Sequence, residues 1–192
     1  MAGAVAVGEL GLAGDTQCDT KHHGGPEQAV YAYAGEDVER WAAEPGRDLP
    51  AGVFGENLRL QGVDVSGAVV GETWRIADDE GGGCVLQVTS ARQPCRTFAA
   101  WMEEPRWVRR FTAVGALGAY LRVLETGSVV AGARVEVLDR PDHGVTVADT
   151  FPHLALEHAA ALLDAEQSGS PRLHPDLRRA ARRAVTRATA GS

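Results

Sequence analysis

Glycine-rich turns divide most of this chain into short segments, and this division limits the available folds more than any other feature. Alternating apolar and polar residues, which are typical of strands, occur at 29–33, 69–76, 84–89, 119–124 and 134–138. Short, evenly spaced strands that are separated by glycine favour a sheet that closes on itself. We therefore predict a mainly β fold with some α, an α+β protein built on a closed mixed β-barrel.

The character of the sequence changes near residue 146. Glycine becomes rare, leucine and alanine recur at helical spacing over 154–163, and a second helix is predicted from Pro175 to about Arg187. We therefore predict a β-barrel domain at residues 1–142, followed by a small C-terminal helical segment at residues 143–192.

Three short helices are predicted within the barrel domain, at residues 37–44, 96–103 and 106–114. The second and third carry large apolar side chains at helical spacing. We expect four of these side chains to face the core: Trp101, Trp107, Val108 and Phe111.

The acidic balance of the chain argues against binding to a nucleic-acid backbone. The formal net charge is −7, whereas phosphate binding depends on lysine and arginine. No stretch without charged residues approaches the roughly 20 apolar residues of a membrane helix, and the N-terminus lacks the features of a secretory signal. The three cysteines form no CxxC pair, which argues against a disulfide framework or a structural metal site. We expect a cytoplasmic protein that binds neither nucleic acid nor membrane.

The last predicted helix is rich in arginine, although the chain as a whole is acidic. This helix is compatible with a surface for an acidic partner, with a homodimer contact, or with an ordinary solvated face. The sequence leaves these alternatives open.

Cys95 is the residue best placed for chemistry. It follows the predicted strand 84–89 and precedes the predicted helix 96–103, with Arg92 and Arg96 close to it in sequence. Positive neighbours and a helix start favour the thiolate over the thiol, and the thiolate binds soft metals or attacks electrophiles. The alternative is a half-buried cysteine that packs as a small apolar residue.

Two loops carry further candidate residues. In Lys21-His22-His23-Gly24-Gly25, lysine supplies a fixed charge, the imidazoles exchange protons near neutral pH, and the glycines let the backbone approach a ligand. The alternative is a pair of surface histidines in a turn. A bend is predicted at Gly55-Glu56-Asn57, where an acid and an amide would project from a loop edge.

Several short segments of the chain form a recognisable series. They are Gly14-Asp15-Thr16-Gln17, Lys21-His22-His23-Gly24-Gly25, Ala29-Val30-Tyr31-Ala32-Tyr33, Gly55-Glu56-Asn57-Leu58, Val70-Gly71-Glu72, Arg92-Gln93-Pro94-Cys95 and Asp142-His143-Gly144-Val145-Thr146. In this order they resemble MOSC-domain proteins, most closely the YiiM-like branch, in which a barrel is followed by a small three-helix segment. The resemblance covers almost the whole chain.

The resemblance implies a β-barrel that binds the molybdenum cofactor, a molybdopterin, with Cys95 as the ligand of molybdenum. It also implies that six residues contact the cofactor: Lys21, His22, His23, Glu56, Asn57 and Arg92. The positive groups among them would receive the phosphate of the pterin. Cys95 would act at the catalytic centre, with His23 or His143 as the proton donor.

Members of this branch are linked to the reduction of N-hydroxylated bases, such as hydroxylaminopurine, to amines. The resemblance therefore implies a molybdenum-dependent oxidoreductase with a detoxifying role and no need for pyridoxal phosphate. Because the chain has no flavin or nucleotide fingerprint, its electrons would come from a separate reductase, a flavoprotein. The alternative is a non-catalytic carrier that holds molybdenum cofactor or sulfur on Cys95.

Overall fold

The computed structural model describes residues 3–15, 24–44, 49–77, 81–169 and 171–190. The candidate residues Lys21, His22 and His23 lie outside these ranges, as does Cys18. The described strands are β1 (Val5–Gly8), β2 (Gly11–Leu12), β3 (Val30–Ala34), β4 (Leu58–Leu60), β5 (Thr73–Ala77), β6 (Gly83–Ala91), β7 (Ala119–Glu125), β8 (Gly127–Val129) and β9 (Arg134–Asp139). The described α-helices are α1 (Gly35–Ala42), α2 (Arg96–Trp101), α3 (Trp107–Val114), α4 (Leu156–Gln167) and α5 (Pro175–Ala190).

The described strands form one six-stranded and one three-stranded sheet. The six-stranded sheet has the order β4-β3-β7-β6-β5-β9, and the smaller sheet has the order β2-β1-β8. The β3–β4 pair is parallel, whereas the other strand pairs are antiparallel. The larger sheet curls into a half-barrel. A mixed α+β fold is therefore confirmed, whereas closure into a full barrel is not shown by the pairing of the described strands.

The two sheets come close together at the connection between β7 and β8. A Cβ atom built on Gly127 would lie 1.7 Å from the carbonyl oxygen of Gly83, so only glycine fits between these two backbone segments. The register of β6 against β7 also shifts at two points along the pair, and such irregularities bend a strand. The close approach of Gly83 and Gly127 therefore holds the two sheets together at this point.

Strand β5 is shorter than the segment predicted at 69–76, because a buried carboxylate takes over hydrogen bonds at its start. The side chain of Glu72 accepts the backbone N–H of Val69 at 3.2 Å and the indole N–H of Trp74 at 2.8 Å. It also accepts the Nε–H of Arg140 at 2.7 Å. A buried carboxylate needs such donors to offset its lost hydration. The backbone before Thr73 therefore turns instead of extending the strand.

An aromatic cluster holds the short helices against the sheet. Its members are Tyr33, Trp41, Phe54, Phe98, Trp107 and Phe111, all of them buried. The rings of Tyr33 and Phe54 stack at 4.6 Å, and Phe98 meets Phe111 edge-on at 5.2 Å. The inward orientation predicted for Trp107 and Phe111 is confirmed, and Val108 is half-buried. The prediction for Trp101 is wrong, because 68% of this residue is exposed.

The C-terminal helices α4 and α5 pack on a second, smaller core. Val70 and Val145 contribute to it from the β-rich part, and Leu162, Leu173 and Leu177 contribute from the helical part. In the part of the chain that the structure describes, the segment after residue 142 contains these two α-helices and a 3₁₀ turn at Ala148–Thr150. The domain boundary at 142/143 stays a prediction.

A buried arginine joins the C-terminal segment to the sheet. Arg122 on β7 pairs with Glu27 at 3.0 Å and donates to the backbone carbonyl of Arg172, whose own side chain pairs with Glu27. Arg178 on α5 also pairs with Glu166 on α4 at 2.6 Å. Among the described residues, no helix combines the length and the apolar character needed to cross a bilayer.

Replacing Phe111 with alanine should lower the free energy of unfolding by about 3–5 kcal/mol, because it removes a ring from the centre of the aromatic cluster and leaves a cavity. Urea unfolding followed by circular dichroism measures this loss. Val114→Ala on the same helix is the control, since Val114 is 41% exposed; its loss should stay below about 1 kcal/mol. Equal losses in the two variants would contradict the described core.

Candidate functional site

Cys95 lies at the junction between β6 and α2, as the sequence predicts. Strand β6 ends at Ala91, and Cys95 is the N-cap residue of the helix that begins at Arg96. Its backbone is extended, and its carbonyl oxygen accepts the N–H of Ala99 at 3.0 Å, which begins the helical hydrogen bonding. The side chain is half-buried, so its sulfur is neither sealed in the core nor fully in solvent.

A cavity of about 360 Å³ lies beside Cys95. Tyr120 contributes to its wall from β7, Arg92 from the segment just after β6, and Trp101 from α2. Gly52 and Gly55 line the cavity from the facing loop, where the absence of side chains leaves the space open. The structure therefore brings Cys95 and Arg92, two predicted site residues, to one concave surface.

The guanidinium of Arg92 is held in the cavity wall by aromatic rings and a carbonyl group. Its central carbon lies 3.7 Å from the centre of the Phe98 ring and 5.0 Å from that of Tyr31. One of its nitrogens donates to the carbonyl oxygen of Phe54. Cation–π contacts of this kind contribute about 0.5–2 kcal/mol. The positive charge is thus fixed in place by the fold.

Burial raises the pKa of both tyrosines near this charge, Tyr31 and Tyr120. The guanidinium of Arg92 acts in the opposite direction but does not reverse the shift. Both phenols therefore keep their protons at neutral pH. Tyr120 lines the cavity, so its protonated hydroxyl group is a hydrogen-bond donor at the site.

The predicted site residue Glu56 lies in the loop beside the cavity, but its carboxylate points into the loop itself. Oε1 accepts the N–H of Gly52 at 2.9 Å, and Oε2 accepts the N–H of Phe54 at 3.0 Å. The guanidinium of Arg59 donates to Oε1 from two of its nitrogens. The observed role of Glu56 is therefore to shape the loop that forms one wall of the cavity.

Asn57, also a predicted site residue, ties two backbone segments together. Its Oδ1 accepts the N–H of Tyr31 at 2.8 Å, and its backbone N–H donates to the carbonyl oxygen of Tyr31 at 2.9 Å. Its Nδ2 donates to the carboxylate of Asp15 at 2.7 Å. Asp15 is the last described residue before the predicted lysine–histidine loop. Asn57 therefore fixes the point from which that loop departs.

His143 is not among the described residues that line the cavity beside Cys95. Its Nδ1 accepts the backbone N–H of Val145 at 3.0 Å, so its Nε2 carries the proton and donates to the carbonyl oxygen of Val70 at 3.0 Å. Burial lowers the pKa of this imidazole, and the bond to Val70 only partly offsets the effect. The ring is therefore neutral at pH 7, with both nitrogens bonded to backbone groups.

Trp101 and Tyr120 belong to the cavity, although the sequence analysis does not predict either as a site residue. The indole N–H of Trp101 donates to the carbonyl oxygen of Val53 at 2.8 Å, which holds an exposed aromatic face at the cavity edge. Tyr120 reaches the cavity because its strand pairs with β6 in a register that places it opposite Ser90. The position of Trp101 on the helix that follows Cys95 is the one sequence signal that could have identified it.

The model of the MOSC domain family matches residues 19–136 of this chain. The chain is 36% identical over 144 residues to the uncharacterized protein YflK of Bacillus subtilis. This match covers 75% of this chain and 63% of YflK. It is also 32% identical over 142 residues to a protein of Gibberella moniliformis named Reductase. That match covers 72% of this chain and 24% of the fungal protein. The chain thus spans less than two thirds of the length of both relatives.

Among solved structures, the crystal structure of YiiM from Geobacillus stearothermophilus superposes with a TM-score of 0.74 at 26% sequence identity. The superposition covers 96% of this chain and 86% of YiiM. It therefore includes the C-terminal helical segment as well as the sheets, and the YiiM-like resemblance seen in the sequence is confirmed.

In a Cys18→Ser variant at about pH 8, iodoacetamide should alkylate Cys95 at least ~100-fold faster than Cys84. Cys84 is 3% exposed, and burial raises the pKa of its thiol to about 11. Only about one molecule in a thousand then carries the reactive thiolate at that position. Peptide mass spectrometry over time measures both rates. Similar rates at the two cysteines would contradict the described burial, and Cys95→Ala should abolish the fast reaction.

Lowering the pH below about 6.5 should reduce stability through His143. Because burial depresses the pKa of this imidazole in the folded protein, the unfolded chain binds more protons as the pH falls. Stability is then greatest above the ordinary histidine pKa and declines towards the lower folded value. Urea unfolding at about pH 7 and pH 5 should show a smaller pH effect in His143→Gln, which does not titrate. An unchanged pH effect would rule out this contribution.

Proposed function

Because this chain belongs to the MOSC domain family, we propose that it binds the molybdenum cofactor and reduces N-hydroxylated compounds to amines. One observation carries the proposal: the half-buried sulfur of Cys95 lies on a cavity of about 360 Å³ that also contains a fixed guanidinium. A thiolate is a soft ligand of the kind that transition metals accept, and positive groups suit a phosphorylated pterin. The name of the fungal relative, Reductase, agrees with redox chemistry.

The residues at the cavity fit such a group. The volume of the cavity beside Cys95 lies within the usual range for pockets that hold small organic ligands, about 300–1,000 Å³. Gly52 and Gly55 present only backbone along one side. Cys95 is the single sulfur among the described lining residues. The protein would therefore contribute one ligand to the metal, and the bound organic group would contribute others.

Arg92 is the described residue best suited to bind the anionic part of the cofactor. A guanidinium has five N–H donors, and the hydrogen-bond partners of this one are the carbonyl oxygen of Phe54 and the phenol groups of Tyr31 and Tyr120. We propose that Lys21 and His22 add positive charge and donors from the neighbouring loop. Glu56 and Asn57 would act indirectly, by holding the backbone around the cofactor.

Reduction of a hydroxylamine to an amine consumes two electrons and two protons and releases water. The bound cofactor would supply the electrons. Tyr120, whose phenol is protonated and lines the cavity, would hold the substrate hydroxyl by a hydrogen bond. We propose His23 as the proton donor. His143, the other candidate, has both ring nitrogens engaged by Val70 and Val145, which favours His23.

The electrons would reach this protein from a separate flavoprotein reductase. The sequence has no flavin or nucleotide fingerprint of its own. In the fungal relative, the similarity covers only 24% of a much longer chain, so that protein contains other segments beside this one. We propose that the donor docks near the cavity, where the exposed face of Trp101 lies at the surface.

The decisive experiment measures molybdenum and pterin in protein purified from a host that makes the cofactor, together with turnover of 6-hydroxylaminopurine by an artificial electron donor. Wild-type protein should contain about one molybdenum per chain, and Cys95→Ala should lose both metal and turnover, because the sulfur ligand is gone. Cys84→Ala is the control and should retain both. Protein without molybdenum would overturn the proposal, whereas bound cofactor without turnover would favour the carrier alternative.

A further inference from the structure

A second cavity, of about 100 Å³, lies between the sheet and α5. Gln93 and Tyr120 line both this cavity and the one beside Cys95, so the two spaces adjoin at these side chains. Ala91 and Leu177 form apolar walls of the second cavity, and Gln28, His174 and Asp176 supply polar groups. The C-terminal helical segment therefore contributes directly to a space that adjoins the proposed active site.

A chain of hydrogen-bonding groups runs along the polar side of this second cavity. The backbone N–H of Gly24 donates to Oε1 of Gln28 at 3.0 Å, which fixes the orientation of that amide. Nε2 of Gln28 then lies 3.3 Å from Nε2 of His174. At the other end, the backbone N–H of Asp176 donates to Nδ1 of His174 at 3.2 Å. His174 is only 8% exposed, so water at the protein surface does not replace these partners.

These groups cannot all be satisfied by one another. Both ends of the chain, at Gly24 and Asp176, are backbone N–H groups that can only donate. Gln28 offers one acceptor and one donor end, and a neutral imidazole offers one acceptor and one donor. Two donors must therefore meet at some point, whichever tautomer His174 adopts. With Nδ1 accepting from Asp176, the Nε2–H of His174 faces the amide N–H of Gln28, and the cavity lacks one acceptor.

The charges around His174 indicate what kind of acceptor fits. The carboxylates of Asp176 and Glu27 and the guanidiniums of Arg122 and Arg179 all act on this imidazole. Because these charges balance in number, the cavity does not favour an anion. A neutral oxygen or nitrogen with a free lone pair would accept both N–H groups at no such electrostatic cost.

We propose that this second cavity binds a neutral acceptor atom of a heterocyclic substrate, a ring nitrogen or a carbonyl oxygen, through Nε2–H of His174 and the amide of Gln28. The inference rests on the proposed function, because the same substrate would place its hydroxylamine group towards Cys95. Ala91 and Leu177 would contact the apolar part of the ring. His174 and Gln28 thereby select N-hydroxylated heterocycles over simple hydroxylamines.

The first test measures binding of 6-hydroxylaminopurine to His174→Asn by titration calorimetry, without an electron donor. Asparagine is a good N-cap residue and can still accept the N–H of Asp176, so the start of α5 is retained. It cannot place the Nε2–H of the imidazole in the cavity. We expect affinity to fall about tenfold, the usual effect of one lost hydrogen bond. An unchanged affinity would mean that the cavity holds only water, and the inference would be overturned.

The second test replaces Gln28 with glutamate, which supplies the missing acceptor from the protein itself. One carboxylate oxygen can accept from Gly24 and the other from Nε2–H of His174. The affinity of Gln28→Glu for 6-hydroxylaminopurine should therefore fall at least about tenfold. Gln167→Glu is the control for added charge, since Gln167 is exposed at the end of α4, and its affinity should not change. Purine binding that stays intact in Gln28→Glu would contradict the missing acceptor.

A kinetic comparison separates this inference from the proposed function. N-methylhydroxylamine has no ring acceptor, so its KM should be the same in wild type and His174→Asn, whereas KM for 6-hydroxylaminopurine should rise about tenfold. Equal increases for both substrates would overturn selection by the second cavity. If wild-type protein binds the purine through His174 and Gln28 but reduces neither compound, the proposed function fails and the binding site stands.

Discussion

A buried negative charge determines the shape of the loop beside Cys95. The side chain of Glu56 is only 1% exposed, and a carboxylate removed from water is very unfavourable unless donors surround it. The backbone amides of Gly52 and Phe54 and the guanidinium of Arg59 supply those donors. Few conformations of the loop can satisfy this requirement, so a single carboxylate fixes the backbone over several residues.

The same loop also fixes the side chains that flank the cavity. In the conformation that satisfies Glu56, the ring of Phe54 enters the aromatic core. The carbonyl oxygen of Val53 then accepts a hydrogen bond from the indole of Trp101. The carbonyl oxygen of Phe54 accepts one from the guanidinium of Arg92. Fold and site therefore have one physical cause, since the contacts that stabilise the core also orient the charge and the aromatic face next to Cys95.

Local patterns in the sequence predicted the α+β class and the position of Cys95 between a strand and a helix, because both depend on residues close together in the chain. They failed for Trp101, since helical spacing does not distinguish a side chain that faces the core from one that faces a cavity. Tyr120 depends on the register between two strands, which sequence patterns do not fix. Glu56 and Asn57 were predicted to contact the cofactor, and their observed protein partners could not be inferred without the fold. Closure of a barrel likewise depends on pairing between distant strands, which local patterns do not fix.

The buried guanidinium of Arg122 makes the last part of the chain inseparable from the sheet. Its partners are Glu27 and the carbonyl of Arg172, one from each part of the protein. A fragment truncated before Arg172 would leave this cation in the interior without the carbonyl group of Arg172, one of its two partners. We therefore expect the two parts to unfold together, so a truncated β-rich fragment would be a poor substitute for the intact protein in crystallisation, labelling or domain-fusion work.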